Sequence, residues 1–374
     1  MHNGRQYRTR RKLELQLATL TFHIGSPKTG TTSLQNLLTR NAANLREQGW
    51  VYPDFFGYPN HLRLGIAFLD STDIRLARKY NLEDRTKAIE EIDQLLTEQV
   101  QPGQRWLMSA ESAAWMSPTE MSSLLDFLSH HFTKVEAVVY FRRQEFMIVS
   151  NHSQHIKLGH AGNMDLESTY LELGATSPVQ VYANWSAALG ADSVHARPYL
   201  EKFKSEPAAL IADFCNTVGI TLDVSDADEP QARQRNTGLS AEAIEMMRVL
   251  DAQVPLLTDA SERGQKLRRR TIRKLLKHAQ GPSLRIPDSL VPAIRAAYEP
   301  DNQRLVEELG GGDEWIEWLE QSPYDREGAA PAPMPPERVI ELMRVLSYPS
   351  GPIDLREDNW TTAPKKRRRW LSKK

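Results

Sequence analysis

The stretch HIGSPKTGTTSLQ, residues 23–35, decides the fold that the sequence predicts. A Walker A phosphate-binding loop has a glycine, four residues, a second glycine, a lysine and then a serine or threonine. Gly25 and Gly30 have this spacing, but Thr31 follows the second glycine, and the lysine, Lys28, lies inside the loop. The stretch therefore predicts an anion-binding loop whose lysine has a different task from that of a Walker A lysine.

The residues on either side of the loop predict a strand before it and a helix after it. Leu17–Ile24 is apolar and β-rich, and residues 32–49 place leucines at helical spacing until Gly49. Such a unit directs backbone N–H groups and the positive end of the helix dipole at one point. The residues predicted to hold the anion there are Ser26, Lys28, Thr29, Gly30, Thr31, Thr32 and Ser33.

Further strand patterns follow along the chain and alternate with helical ones. RWLMSA (105–110), VEAVVYF (135–141) and SVHARPY (193–199) are typical of strands, and Ser117 with Glu120 forms a capping box that begins a helix. Strands that alternate with helices predict an α/β protein. We expect a three-layer, P-loop-like fold with a central parallel sheet flanked by helices.

Composition limits the class of protein. The chain has 374 residues, of which 40% are hydrophobic and 25% charged, and its formal net charge is −1. These values are typical of a soluble globular protein without a global charge for nucleic acid or membranes. The one cysteine, Cys215, excludes an internal disulfide and a cysteine-cluster metal site. No apolar run is long enough to span a membrane.

The sequence predicts three segments. Residues 1–15 are a basic, disordered arm, residues 16–320 form the catalytic domain, and residues 321–374 contain a proline-rich linker, a short helix at 337–346 and a basic tail, PKKRRRWLSKK. The pattern predicts a solvated tail, with binding to nucleic acid or to an anionic surface as the alternative. A cleaved signal peptide would destroy the loop's strand, so we expect a cytoplasmic protein.

A second anion site is predicted after the strand at 135–141. Arg142 follows that strand directly, and Ser150 lies about two helical turns further on. In open α/β sheets, ligands bind at the carboxyl ends of strands. A guanidinium and a hydroxyl there are suited to a second phosphate.

These two motifs together resemble a known family. SPKTGTTSLQ, followed by a strand ending in FRRQEFMIVS, resembles the sulfotransferases that use 3′-phosphoadenosine 5′-phosphosulfate (PAPS), most of all the bacterial and carbohydrate-type branch. The resemblance covers roughly residues 18 to 310. It implies that the loop residues Lys28 to Ser33 hold the 5′-phosphosulfate, and that Arg142 and Ser150 hold the 3′-phosphate. It also implies metal-independent in-line transfer of a sulfuryl group to a hydroxyl, with a glycan as the expected acceptor.

Other family features are less complete in this sequence. Arg235, with Arg233, resembles the family's second arm for the 3′-phosphate, but the Arg-Lys-Gly triplet of animal cytosolic members is absent. The family's general base is a histidine or a carboxylate, and the sequence leaves Glu111 and His61 as equal candidates, with Asp54 as a third.

An aromatic segment raises a further alternative for the acceptor side. It lies after the first helix and could be core or a platform that stacks on the acceptor. Its members are Tyr52, Phe55, Phe56 and Tyr58.

Two other functions fit parts of the pattern. A P-loop kinase or NTPase with a degenerate loop would use Mg²⁺, for which Glu111 is the one conceivable strand-end carboxylate. A binding module without activity would retain the loop alone. The histidines lack the spacing of zinc ligands, and the basic runs lie outside the predicted domain, so neither a zinc site nor specific nucleic-acid binding is expected.

Overall fold

We describe the chain from a computed structural model. The described residues are 18–57, 59–70, 77, 80–159, 177–223, 239–258, 261–321 and 334–347. They fall into two compact units. The first unit holds those within Met1–Phe141 and Gln180–Asp228, and the second holds those within Arg142–Val179 and Glu229–Leu355.

The first unit is built on a five-stranded parallel sheet. Its strands are β1 (Ala18–Gly25), β2 (Trp50–Val51), β3 (Arg105–Ser109), β4 (Phe132–Phe141) and β5 (Val194–Pro198). Their order is β2-β3-β1-β4-β5, so β1, which leads into the loop, is the central strand. It pairs in parallel with β3 and with β4.

Helices connect the strands and continue through the second unit. Up to β5 they are α1 (Thr31–Arg40), α2 (Ala42–Glu47), α3 (Leu62–Ala67), α4 (Arg85–Gln99), α5 (Pro118–Ser129), α6 (Gln144–Leu158) and α7 (Pro178–Leu189). After β5 they are α8 (Pro207–Val218), α9 (Ala241–Gln253), α10 (Pro255–Thr258), α11 (Glu262–His278), α12 (Val291–Glu308), α13 (Asp313–Glu320) and α14 (Pro336–Ser347). Short 3₁₀ helices lie at Glu111–Trp115, Ala191–Ser193 and Glu201–Lys204.

Helices cover both faces of the sheet. Successive side chains of a strand point to opposite faces. Phe22 of β1 packs edge-on against Trp185 of α7 at 6.5 Å, while the next residue, His23, packs against Phe214 of α8 at 5.5 Å. The layers are therefore helix, parallel sheet and helix, which confirms the predicted α/β class.

The second unit has a helical core of its own. The fully buried side chains at its centre include Met246 and Met247 of α9, Leu275 of α11 and Ile294 of α12. Arg268 of α11 fixes that helix by donating to several acceptors of α6, α9 and α10.

Several predicted features lie outside the described residues. They are the basic arm 1–15, Tyr58, Arg233, Arg235, most of the proline-rich linker and the basic tail. A helix, α14, is present where the sequence predicts one at 337–346. In the part of the chain that the structure describes, no helix combines the length and apolarity needed to cross a membrane.

Candidate anion-binding loop

The loop between β1 and α1 starts at the carboxyl end of the central strand. The backbone N–H of Ser26 donates to the carbonyl of Tyr140 in β4 at 3.1 Å, which ties the loop to the neighbouring strand. Gly25 has a φ of +110°, and a Cβ there would lie 3.2 Å from both the Cα and the carbonyl oxygen of Glu111. Only glycine fits this close approach of two backbone segments.

Two further loop residues also have left-handed backbones. Gly30 has a φ of +78°, and a Cβ there would lie 2.5 Å from Cδ2 of Leu210 in α8. Lys28, which is not a glycine, has a φ of +69°. Such a conformation costs a non-glycine residue about 1–3 kcal/mol, and it is concentrated at functional sites.

The first turn of α1 offers its backbone donors to a ligand. Gly30 is the N-cap, and no side chain caps the helix. The N–H groups of Thr29, Gly30, Thr31 and Thr32 have no acceptor among the residues that the structure describes. Open backbone donors at the positive end of a helix dipole are the features by which helix N-termini bind anions, so this end of α1 is the candidate site.

The hydroxyl groups beside these donors point to other partners. Thr29 Oγ1 donates to the carbonyl of Ser26 at 2.6 Å and closes the loop on itself. Thr31 occupies the position of the Walker A lysine, and its Oγ1 donates to Glu111 Oε2 at 2.5 Å. Neither hydroxyl caps the helix, so the backbone donors stay available.

Glu111 is the base candidate that the structure brings to the loop. It begins the 3₁₀ helix after β3, and the N–H of the preceding Ala110 donates to the carbonyl of His23 at 2.9 Å. Its Oε1 has no partner among the described residues, so this oxygen can accept a proton. Among all the residues that the structure describes, no group of three histidine, cysteine or acidic side chains could hold a metal ion.

His61, the other equal candidate, is a buried structural residue. Its Nδ1 accepts the N–H of Ser109 at 2.9 Å, and its Nε2 donates to the carbonyl of Pro53 at 3.0 Å. Burial lowers the pKa of His61 from 6.5 to about 4. Because both ring nitrogens are occupied by the backbone, His61 has no position from which to accept a proton from an acceptor.

A buried polar group below the loop was not singled out from the sequence. His23 Nδ1 lies 2.8 Å from Ser109 Oγ, to which Gln35 Nε2 also donates at 2.9 Å. All three side chains are buried, and burial lowers the pKa of His23 to about 4. They join β1, β3 and α1, the three elements next to the loop. The sequence contains one indication of this group, a histidine within the strand predicted at Leu17–Ile24.

The aromatic segment after β2 is divided between core and surface. Tyr52 and Phe56 are each 3% exposed, while Phe55 is partly exposed and Asp54 exposed. A cavity of about 240 Å³ lies beside it. Its lining consists of Arg46, Val51, Tyr52, Pro53, Asp54, Phe55, Gln99, Gln101, Gln104 and Trp106. The glutamines precede β3 and Glu111 follows it, so this cavity extends toward the end of β3 away from the loop.

The two arginines that follow β4 have different surroundings in the second unit. Arg143 donates to Glu145 at 2.6 Å, to Glu299 at 2.8 Å and to the carbonyl of Leu319. Arg142 is equally buried, and its guanidinium carbon lies 5.6 Å from the ring centre of Phe146. Arg143 is thus a structural residue, whereas the 3′-phosphate role of Arg142 and of the partly exposed Ser150 stays a prediction.

Comparison with known proteins finds solved structures of low similarity. No family model and no curated protein matches the chain. A sulfotransferase from Alicyclobacillus acidocaldarius has 14% identity and a TM-score of 0.35, over 66% of this chain and 98% of that chain. The sulfotransferase domain of the curacin biosynthetic pathway has 16% identity and a TM-score of 0.32, over 79% of this chain and 98% of that chain. The sulfotransferase domain of the Synechococcus PCC 7002 olefin synthase has 16% identity and a TM-score of 0.29, over 63% of this chain and 93% of that chain. The function proposed below rests on the chain's own residues.

Proposed function

We propose that this chain is a sulfotransferase that moves the sulfuryl group of PAPS to a hydroxyl of an acceptor. The observation that carries the proposal is the uncapped start of α1, where the N–H groups from Thr29 to Thr32 have no acceptor among the described residues. These groups would bind the 5′-phosphosulfate.

The position of the lysine favours sulfuryl over phosphoryl transfer. A P-loop kinase needs a lysine after the second glycine and a carboxylate for Mg²⁺. Here that position is Thr31, and its hydroxyl is bonded to Glu111, the one candidate carboxylate. A sulfuryl group carries less charge than a terminal phosphoryl group. A lysine at the bridging oxygen, where charge develops on the leaving group, is therefore the appropriate stabilising group.

Glu111 and Lys28 would have separate roles in the transfer. As the acceptor oxygen forms its bond to sulfur, the bond from sulfur to the bridging phosphate oxygen breaks. Glu111 Oε1 takes the acceptor's proton, and Lys28 stabilises the negative charge left on adenosine 3′,5′-bisphosphate. Thr31 would hold the Glu111 side chain in place by donating to its other carboxylate oxygen, Oε2.

The remaining parts of the proposal come from the sequence. Arg142 and Ser150, with Arg235, would bind the 3′-phosphate. The acceptor would be a glycan, and the compartment the cytoplasm. The single histidine candidate, His61, has both nitrogens engaged, so the proposal assigns the base to Glu111.

A transfer assay tests the proposal. Wild-type protein is incubated with sulfur-labelled PAPS and a glycan panel in excess EDTA, alongside Lys28→Ala and a control, Lys87→Ala, which removes an exposed lysine of α4. We expect labelled product from the wild type and the control, and much less from Lys28→Ala. Transfer that chelation abolishes and Mg²⁺ restores, or ATP turnover in place of sulfuryl transfer, would favour the kinase function instead.

A further inference from the structure

Trp115 ends the 3₁₀ helix that Glu111 begins, and the proposed reaction does not use it. Its side chain is 47% exposed, which makes it the most exposed of the phenylalanine, tyrosine and tryptophan side chains that the structure describes. Its indole makes no hydrogen bond and no ring contact with a described residue. Tryptophan is highly buried on average in folded proteins. A half-exposed indole four residues after the proposed base is therefore a candidate contact for a ligand.

The backbone that carries Trp115 is anchored on both sides. A 3₁₀ helix has three residues per turn, so Ala113 and Met116 share one face, and both are buried. The N–H of Met116 donates to the carbonyl of Ala113 at 3.3 Å, and the next residue, Ser117, is the N-cap of α5. The exposure of Trp115 is thus a feature of an ordered segment and not of a loose chain end.

The aromatic segment that the sequence offers as an acceptor platform lies elsewhere. Tyr52 and Phe56 are each 3% exposed and belong to the core. Phe55 lines the cavity that extends toward the end of β3 away from the loop. Glu111 and Trp115 follow β3 at its carboxyl end, where ligands of open α/β sheets bind. Of these aromatic side chains, Trp115 is the one that shares a helix with Glu111.

An exposed indole is suited to a sugar ring. Its flat apolar face packs on the C–H groups of a pyranose, and its Nε1–H can donate to a hydroxyl. Four residues of 3₁₀ helix, the separation of Glu111 and Trp115, span about 8 Å along the helix axis. This separation is longer than one sugar ring. An acceptor that contacts both side chains therefore needs two linked sugars.

We propose that Trp115 stacks on the sugar next to the one whose hydroxyl Glu111 deprotonates, so that the acceptor is an oligosaccharide and not a monosaccharide. The inference rests on the proposed function, from which it takes the base. Trp115 binds the acceptor and takes no part in the bond-making and bond-breaking steps. Its contribution should therefore appear in the KM for the acceptor and not in kcat.

Acceptor kinetics with variants of the full chain test this contact. Trp115→Ala removes the ring, Trp115→Phe keeps a smaller ring, and the control, Ile316→Ala, removes an apolar side chain of α13 that is 50% exposed. Each is assayed with sulfur-labelled PAPS and with pairs of an oligosaccharide and its monosaccharide, among them chitotetraose with N-acetylglucosamine. A glycan array, probed in the presence of adenosine 3′,5′-bisphosphate, measures glycan binding without turnover. A thermal melt and calorimetry check folding and the affinity for adenosine 3′,5′-bisphosphate.

We expect Trp115→Ala to raise the KM of oligosaccharide acceptors by about 10- to 100-fold, because about half an indole loses its apolar partner. The KM of monosaccharides, kcat and nucleotide affinity should stay within about twofold of the wild type. Trp115→Phe should recover most of the oligosaccharide affinity, and Ile316→Ala should behave as the wild type. An unchanged oligosaccharide KM in folded Trp115→Ala, or an equal rise for oligosaccharides and monosaccharides, would overturn the inference.

The glycan array separates this inference from the proposed function. Oligosaccharide binding that Trp115→Ala abolishes, in a wild type that transfers no sulfuryl group, would support the glycan site and overturn the proposed reaction. Transfer by the wild type, with equal array binding by the wild type and Trp115→Ala, would overturn the glycan site alone. A wild type that neither transfers to a glycan nor binds one would overturn both.

Discussion

Two helices of the first unit, α1 and α5, begin after neighbouring parallel strands. They differ in whether a side chain accepts from the backbone N–H groups of the first turn. Helix α5 has a complete capping box, in which Ser117 Oγ accepts from the N–H of Glu120 and Glu120 accepts from the N–H of Ser117. Helix α1 has hydroxyl residues nearby but no side-chain cap. Helix α5 closes its end with its own atoms, whereas the donors of α1 stay open for the ligand that the proposed function requires. The uncapped end alone does not identify such a site, because α2 and α3 also lack a side-chain cap.

The largest effect is expected at Glu111. Glu111→Gln keeps an oxygen that can accept from Thr31 but removes the proton acceptor, so turnover should fall by about 10²–10⁴-fold. The affinity for adenosine 3′,5′-bisphosphate should stay close to that of the wild type, because the base acts on the acceptor. Steady-state kinetics and calorimetry measure the two quantities. Normal turnover in folded Glu111→Gln would show that Glu111 is not the general base.

Lys28 should have a slightly smaller effect on the same reaction. Its task is to stabilise charge that develops in the transition state, so Lys28→Ala should lower kcat by about 10²–10³. Product-nucleotide affinity should fall much less, since the backbone of α1 does most of the binding. Initial rates give kcat, and Lys87→Ala serves as the matched control. Near-normal turnover in folded Lys28→Ala contradicts the assigned role.

Acid should destabilise the folded protein through its two buried histidines, His23 and His61. His23 and His61 have pKa values of about 4 in the folded protein and 6.5 when unfolded. The unfolded chain therefore binds more protons between these values, and stability falls as the pH drops below about 6.5. At pH 5 the expected loss is about 2 kcal/mol for each histidine. Urea unfolding at pH 7 and pH 5 measures it, and His23→Asn should show about half the dependence. Equal stability at both pH values would argue against neutral, buried rings.

The smallest effect is expected at the capped helix. Ser117→Ala removes the acceptor for the N–H of Glu120 and should lower the free energy of unfolding by about 1 kcal/mol. Nucleotide affinity should not change, because this helix end is closed in the wild type. Urea unfolding and calorimetry on one preparation measure both. A loss of nucleotide binding without unfolding would show that the two helix ends do not have separate tasks.

Local patterns were sufficient to predict the loop and four of the five strands, but not the two-residue edge strand β2 (Trp50–Val51). The glycine spacing, the apolar strand before it and the leucine period after it depend on neighbours in sequence, and so does the capping box of α5. The two glycines were predictable for the same reason, although their close contacts with Glu111 and Leu210 were not.

Long-range pairings were beyond local patterns. The bond between Thr31 and Glu111 joins residues 80 positions apart, and the bond between His61 Nδ1 and the N–H of Ser109 spans 48. Sequence alone therefore left the two base candidates equal. Of two adjacent arginines, only the folded chain identifies Arg143 as the one tied to Glu145 and Glu299. The expectation that the basic runs lie outside residues 16–320 is wrong, because Glu262–His278 contains eight lysines and arginines.

A crystal structure with adenosine 3′,5′-bisphosphate at saturating concentration tests the central claim most directly. The account predicts the 5′-phosphate within hydrogen-bond distance of the N–H groups from Thr29 to Thr32, with Lys28 Nζ beside the phosphate oxygen that would bridge to sulfur. The loop backbone should be the same with and without nucleotide, since its donors are already open. A bound nucleotide whose phosphates lie away from α1, with its first-turn donors unoccupied, would contradict the account.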